Sequence, residues 1–360
     1  MEGIAMDGKK VFVAMSGGVD SSVTAALLLE QGFDVTGVTL NLFSHPCTTK
    51  GRSFADYPTV KAALSAQLLG IKHHVLDVEK HFSEKVIEPF TAEYLAGRTP
   101  NPCIRCNRHI KFGVMLDWAL EQGYDALATG HYVQLRHSED GFTLHRAVDK
   151  SKDQSYALHG LGQHQLAHCL FPLGRMTKAR VRKVAENLRL PAAEAAESQE
   201  ICFVPDNDYK QFVECYSNAN PPAGPIVDTR GNVLGQHWGV HRYTVGQRKG
   251  LGLAAGQPLY VIEVNAEANT VVVGSNQDVY SEKCRVADYS FVAGQPPGDS
   301  FAAEVMTRYN SHPAPGLVHV DGQELDVVFD RPQRAVTPGQ SAVFYCGDQV
   351  LGGGIIVDRI

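Results

Sequence analysis

The first 135 residues alternate short apolar runs with stretches of helical period. Val11-Phe12-Val13-Ala14-Met15 predicts a buried strand, and Val23–Leu29 predicts a buried helix that stops at Gly32. Phe33–Leu40 continues as a second strand, a helical stretch from Val60 to Leu69 ends at Gly70, and His73–Val78 makes a third strand. Helical patterns over Phe82–Leu95 and Ile110–Gln122 precede another strand at Asp125–Thr129. Such alternation predicts an α/β, doubly wound parallel sheet that takes its ligands at the carboxyl ends of its strands.

The pattern changes after about residue 165. Thr177 is placed to cap a helix with Val181, Val184, Ala185 and Leu188 on one face and Lys178, Arg180, Arg182, Lys183 and Arg189 on the other. From Pro221 onward, short β-rich runs such as Leu259–Val264, Phe301–Thr307, Leu325–Phe329 and Ala342–Tyr345 alternate with Gly, Pro, Asn and Asp. They predict a small antiparallel β-barrel. The expected organisation is an N-terminal α/β domain over 1–165, a small central domain over 166–240 and a C-terminal β-barrel over 241–360. No repeat or low-complexity tract interrupts it.

A chain of 360 residues exceeds one ordinary core, and 44% apolar with 20% charged residues describes a globular protein. The segment from Met1 to Lys10 has no apolar signal core, and no apolar run approaches membrane-spanning length. A cytoplasmic protein without a membrane partner is therefore expected, and its eight cysteines read better as thiols than as a disulfide frame. A net charge of −6 excludes indiscriminate nucleic-acid binding but leaves room for a local basic face.

Two segments carry candidate chemistry. The first is Ala14-Met15-Ser16-Gly17-Gly18-Val19-Asp20-Ser21-Ser22, between the first strand and the first helix. Its glycines let backbone approach an anion, and a helix start offers free N–H groups and a positive dipole end. It lacks the lysine of a Walker A loop. The plain alternative is an ordinary glycine turn. The second segment is Pro100-Asn101-Pro102-Cys103-Ile104-Arg105-Cys106-Asn107. Asn107 reads as a helix cap, which sets Cys106 at a helix N-terminus beside Arg105, Arg108 and Lys111, and both effects favour its thiolate. A further cysteine, Cys202, stands in Ser198-Gln199-Glu200-Ile201-Cys202-Phe203. Half of a zinc site would need a second close Cys pair, which the sequence lacks, and Cys202 alone would pass for a buried apolar thiol.

Taken in order, these motifs resemble those of the tRNA-specific 2-thiouridylases, over almost the whole chain. The resemblance runs through Met15–Ser22, Gly97–Cys103, Cys106-Asn107, Ile110–Gly113, Ala128–Tyr132, Lys152–Tyr156 and Leu170–Gly174. It continues through Ile201–Phe203, Tyr243–Gly252 and Thr337–Gln340. It implies ATP on Ala14, Met15, Ser16, Gly17, Gly18, Val19, Asp20 and Ser21 of a pyrophosphatase-type loop, with Leu40 and Gly130 also touching the nucleotide and Mg²⁺ arriving with it. It implies Cys202 as persulfide carrier and Cys106 as the nucleophile that helps release the sulfur. It places tRNA against Asn101, Pro102, Cys103, His131, Lys152, Asp153, Gln154, Arg308, Tyr309 and Gln340. The implied partners are tRNA and a sulfur-donor protein, and the simplest state is a monomer.

Some members have Asp where Cys103 stands, and the segment Asn41–Lys50 lacks the Met and Trp common there. Cys103, Cys106 and Cys202 could also form three corners of a [4Fe–4S] cluster. Rival readings are a ligase that adenylates a small molecule, which needs no paired thiols, and an RNA-binding module without catalysis.

Overall fold

The computed structural model describes residues 8–42, 58–191, 201–254, 256–309 and 311–360. The atypical stretch 43–50 with Cys47, and Ser198 to Glu200, lie outside the described residues.

Five parallel strands form the first sheet, in the spatial order Lys72–Asp77, Asp34–Asn41, Lys10–Ala14, Ala126–Ala128 and Cys169–Leu170. The strand Lys10–Ala14 is central because it is apolar from Val11 to Ala14: Val11, Phe12 and Val13 are buried on both faces. Helix Val19–Glu30 packs its buried Ala25 and Leu28 against the sheet and ends at Gln31 and Gly32, where Gly32 takes φ +86°. The order reverses on either side of Lys10–Ala14, so a crevice opens at the carboxyl end of that strand, where the Ser16–Ser22 loop begins. The sequence-based fold class is thus realised.

Beyond the sheet lie two β units. Gly224–Val227, Val233–His237, Tyr260–Asn265 and Thr270–Gly274 form a four-stranded sheet. Residue 165 falls in the short helix Gln163–Ala167, just before the fifth strand of the parallel sheet, and residue 240 falls between two strands of this middle sheet. The last six strands, from Tyr280–Phe291 to Gln349–Arg359, are antiparallel, and the pairing of Tyr280–Phe291 with Gln349–Arg359 closes them into a barrel. The barrel interior is filled by Val286, Val305, Val318, Val327, Phe344 and Ile356.

A hairpin that sequence pattern does not reveal, Val133–Ser138 with Gly141–Arg146, leaves the α/β region and pairs with the barrel through Gln349↔His145 and Val350↔Leu144. One core, containing Phe12, Leu127, Val133, Leu144, Tyr156, Val343 and Tyr345, therefore spans both units. Among the described residues, no helix is long and apolar enough to cross a membrane.

Candidate active site

The loop after Lys10–Ala14 turns at Gly17, whose φ of +74° favours glycine, and Gly18 then caps the helix without a side-chain bond. The first N–H groups of that helix have no intrahelical carbonyl to meet, so they face the crevice. The loop is braced from within: Ser21 and Ser22 hydroxyls donate to the Gly18 carbonyl at 3.0 and 3.1 Å, and the Ser16 N–H donates to Ser21 Oγ at 3.2 Å. Gly130 closes the far side. A Cβ there would lie 2.9 Å from the Asp20 carbonyl carbon and 3.0 Å from the Ser21 nitrogen. This backbone cradle fits a polyphosphate. Leu40 is half-buried on the neighbouring strand and packs against two cores, the one shared with the barrel and the one that holds Cys106.

Asp20 is the loop's one carboxylate. Its Oδ1 accepts hydrogen bonds from Tyr132 Oη at 2.7 Å and from Lys178 Nζ at 2.7 Å, and Lys178 Nζ also reaches Oδ2 at 2.7 Å. Lys178 corrects the sequence-based reading of its helix. Thr177 does cap Lys178–Asn187, accepting from the Arg180 N–H at 3.4 Å, but Lys178 is buried with Val181 and Ala185 while Leu188 is exposed. The signal was hidden because Lys178 begins a run of basic residues that reads as a solvated face.

The thiols come together from distant segments. Asn101, not Asn107, caps the helix, its side chain accepting from the Cys103 N–H at 3.1 Å, and Pro102 fills the first helical position. The helix runs without a break through Cys106, and Asn107 instead donates Nδ2 to the Ala157 carbonyl and accepts from Lys111 Nζ. Cys106 is thus one turn inside the helix, buried in a cluster with Phe82, Phe90, Ile110 and Phe203. Phe203, the neighbour of Cys202, stacks edge-on against Phe82 and Phe90 at 5.5 and 5.3 Å. This aromatic packing carries Cys202 to Cys106.

Cys103, Cys106 and Cys202 are free thiols. Desolvation pushes Cys106 up to about 11 despite the opposing charge of Lys111. Desolvation and the neighbouring Cys106 and Cys103 push Cys202 up to about 12. Cys103 is raised by the same desolvation. The expectation of a thiolate at Cys106 is therefore overturned for the free protein: burial outweighs the helix dipole and nearby cations. The thiols lie within electrostatic reach of one another, but among the described residues no three His, Cys, Asp or Glu side chains gather closely enough to hold a metal ion.

The residues assigned to tRNA sit around these two centres. Asn101, Pro102 and Cys103 open the thiol-bearing helix, and the barrel grips their approach: Gln340 Nε2 donates to the Thr99 carbonyl at 2.8 Å, and the Thr99 N–H donates to the Pro338 carbonyl at 2.9 Å. His131 is buried and shares a 2.7 Å hydrogen bond with Thr129, and burial holds its ring well below the ordinary range, hence neutral. Asp153 accepts from the Ala147 N–H at 2.8 Å and the Ser155 hydroxyl at 2.7 Å. Gln154 accepts from the Tyr132 N–H at 3.0 Å. Arg308 Nη2 donates to the Val245 carbonyl at 2.7 Å and to Thr337. Exposed Tyr309 donates to the Asp153 carbonyl at 3.4 Å. Lys152 is half-buried at the start of this loop. His131, Asp153 and Gln154 are thus held by contacts within residues 129–155, and Arg308 joins the barrel to the segment around Val245. Sequence reasoning included Tyr132 in a motif without a role, and the structure sets it on Asp20.

A doubly wound sheet with an anion-cradling first turn and a cluster of thiols beside it defines a nucleotide-binding enzyme coupled to thiol chemistry. Three family models match in order: tRNA methyl transferase HUP domain over residues 9–206, tRNA methyl transferase PRC-barrel domain over 210–275, and aminomethyltransferase beta-barrel domain over 281–356. The tRNA-specific 2-thiouridylase MnmA of Carboxydothermus hydrogenoformans is 48% identical over 359 residues, covering 98% of each chain. That of Chloroflexus aurantiacus is 47% identical over 353 residues, covering 96% of this chain and 98% of the relative. The chain belongs to the family of tRNA-specific 2-thiouridylases. A solved U34-tRNA thiolase, NcsA of Methanococcus maripaludis with its [4Fe–4S] cluster, aligns at 17% identity and a TM-score of 0.35 over 59% of this chain and 66% of that one. That likeness is too loose to carry a role for any residue.

Proposed function

We propose that this chain is an ATP-dependent tRNA sulfurtransferase that converts the wobble uridine of tRNA to 2-thiouridine. ATP lies with its phosphates on the Ala14–Ser21 backbone and Gly130, accompanied by Mg²⁺, and Leu40 borders the nucleoside. The uracil O2 attacks the α-phosphate and pyrophosphate leaves, so a poor leaving group becomes AMP. A sulfur-donor protein loads Cys202 as a persulfide. Its outer sulfur attacks C2 of the base, AMP departs with the former O2, and Cys106 attacks Cys202. Transfer of the sulfur at the sulfide level takes two electrons, and the two thiols supply them by closing a disulfide.

The observation that carries this reading is that Phe203 packs into the aromatic cluster that holds Cys106, which brings its neighbour Cys202 within electrostatic reach of Cys106. A small-molecule ligase would have no use for it. The raised thiols suit a resting enzyme, because they stay protonated until persulfide or RNA arrives. Asn101, Pro102 and Cys103 face the extruded base, and Lys152, Tyr309 and Gln340 line its approach. A monomer in the cytoplasm is the working state.

The test is a split assay on Cys202→Ser. It should retain tRNA-stimulated pyrophosphate release and lose thiolation. Full thiolation with a protein persulfide donor would remove Cys202 from the reaction, and absence of AMP formation with any tRNA would return the chain to a binding module.

A further inference from the structure

The Ser16–Ser22 loop holds a carboxylate and no basic residue, yet the proposed ligand of its backbone, ATP, carries several negative charges. An aspartate facing such a ligand would repel it unless a cation stood between them. The fold provides one from a remote segment. Lys178 is the first residue of the helix Lys178–Asn187, and its ammonium lies 2.7 Å from both oxygens of Asp20. Lys178 as a whole is only 9% exposed, and its backbone N–H is pinned to Asp149 Oδ2 at 2.9 Å. The ammonium also lies 5.8 Å from the centre of the Tyr132 ring, whose hydroxyl bonds the same carboxylate. Packing of Lys178–Asn187 on Val19–Glu30, with Val181 and Ala185 in one core with Val19 and Val23, fixes this approach.

We propose that Lys178 binds the β- and γ-phosphates of ATP and then the leaving pyrophosphate, held on Asp20 until the nucleotide arrives. It does for this loop what a lysine inside the loop does for a Walker A site, but from a different element. A lysine suits the task because its flexible stem lets the ammonium swing from a carboxylate to a phosphate oxygen without moving the helix. The inference rests on the proposed assignment of the loop to ATP.

The test is calorimetric titration of the full chain with three probes: pyrophosphate, a non-hydrolysable α,β-methylene ATP, and AMP. Lys178→Met keeps the buried stem and removes the charge, while Lys178→Arg keeps the charge. The expected result is a loss of about tenfold to a hundredfold in affinity for pyrophosphate and the ATP analogue in Lys178→Met, the worth of one hydrogen bond to a charged group. AMP affinity should stay within about twofold, because its single phosphate lies on the loop backbone. Lys178→Arg should recover part of the loss, and it carries the comparison if Lys178→Met does not fold. Tyr132→Phe, which removes the other contact to Asp20, should change pyrophosphate binding by less than about threefold. Equal losses for all three probes, or a Tyr132→Phe loss as large as that of Lys178→Met, would mean that Lys178 only orients Asp20 and would overturn the proposal. Unchanged pyrophosphate binding in Lys178→Met would do the same. If the unmodified protein takes up neither pyrophosphate nor the ATP analogue, the nucleotide assignment itself falls.

Discussion

Gln340 of the barrel donates its side-chain N–H to the carbonyl of Thr99, 2.8 Å away, two residues before the cap of the thiol-bearing helix. Beside it, Gly339 sits at φ +91° with its Cα against Thr99, where a Cβ would lie 2.8 to 3.0 Å from backbone atoms. The barrel thereby sets the position of Asn101, Pro102 and Cys103. Gly339→Ala should lower thermal stability and raise the KM for tRNA together, since both the left-handed backbone and the close approach are lost. Gln340→Ala should cost about 1 kcal/mol of stability. Thermal melts and steady-state kinetics with tRNA check both, and a Gly339→Ala variant with unchanged melting and KM would refute the clasp.

The thiols set a pH dependence. Cys106 and Cys202 are pushed from an ordinary 9.0 to about 11 and about 12 by burial. Between pH 9 and 11 the unfolded chain releases these protons while the folded chain keeps them, so stability falls as pH rises across that window. Urea denaturation from pH 8 to 11 should show that fall, and Cys106→Ser should flatten it. Alkylation by iodoacetamide of Cys202, which reaches the surface although the protein packed around it raises its thiol, should accelerate about tenfold per pH unit between pH 8 and 10. A plateau near neutral pH would show that the thiolate already forms there.

Gly130→Ala inserts a methyl group against the Asp20 and Ser21 backbone, where no flexible side chain can give way. Pyrophosphate release should fall about a hundredfold through displacement of the loop. Alkylation of Cys202 should be unaffected, which separates damage at the loop from general misfolding.

Asp153 and Lys152 are neighbours with different tasks. Asp153→Ala removes an acceptor from Ala147 and Ser155 and should cost about 2 kcal/mol of stability, read as a lower melting temperature. Lys152→Ala should cost less stability than Asp153→Ala and reduce the salt dependence of tRNA binding by about one unit of log–log slope. The reverse pattern would exchange the structural and RNA-binding assignments.

The sequence by itself determined the elements of the α/β half, because each is a local matter of period and punctuation. Val11–Met15 is apolar enough to lie between two layers, Gly32 and Gly70 end helices, and Gly17-Gly18 permits the turn that leaves helix N–H groups facing the crevice. The order of motifs along the chain also determined the family.

Only the tertiary structure decided which residues meet. Cys202 reaches Cys106 through contacts of Phe203 with Phe82 and Phe90, and such packing between distant segments leaves no periodic trace. The hairpin Val133–Arg146 is polar along much of one strand and becomes a strand of the larger sheet by pairing with residues 349 and 350. Asn107 looks like a cap until Asn101 and Pro102 start the helix earlier, and Cys106 looks activated until burial raises its thiol. Lys178 looks like a solvated charge until its helix is packed on Val19–Glu30 and its ammonium meets Asp20. Local propensity follows from neighbours in sequence, whereas desolvation and charge pairing depend on what the folded chain brings alongside.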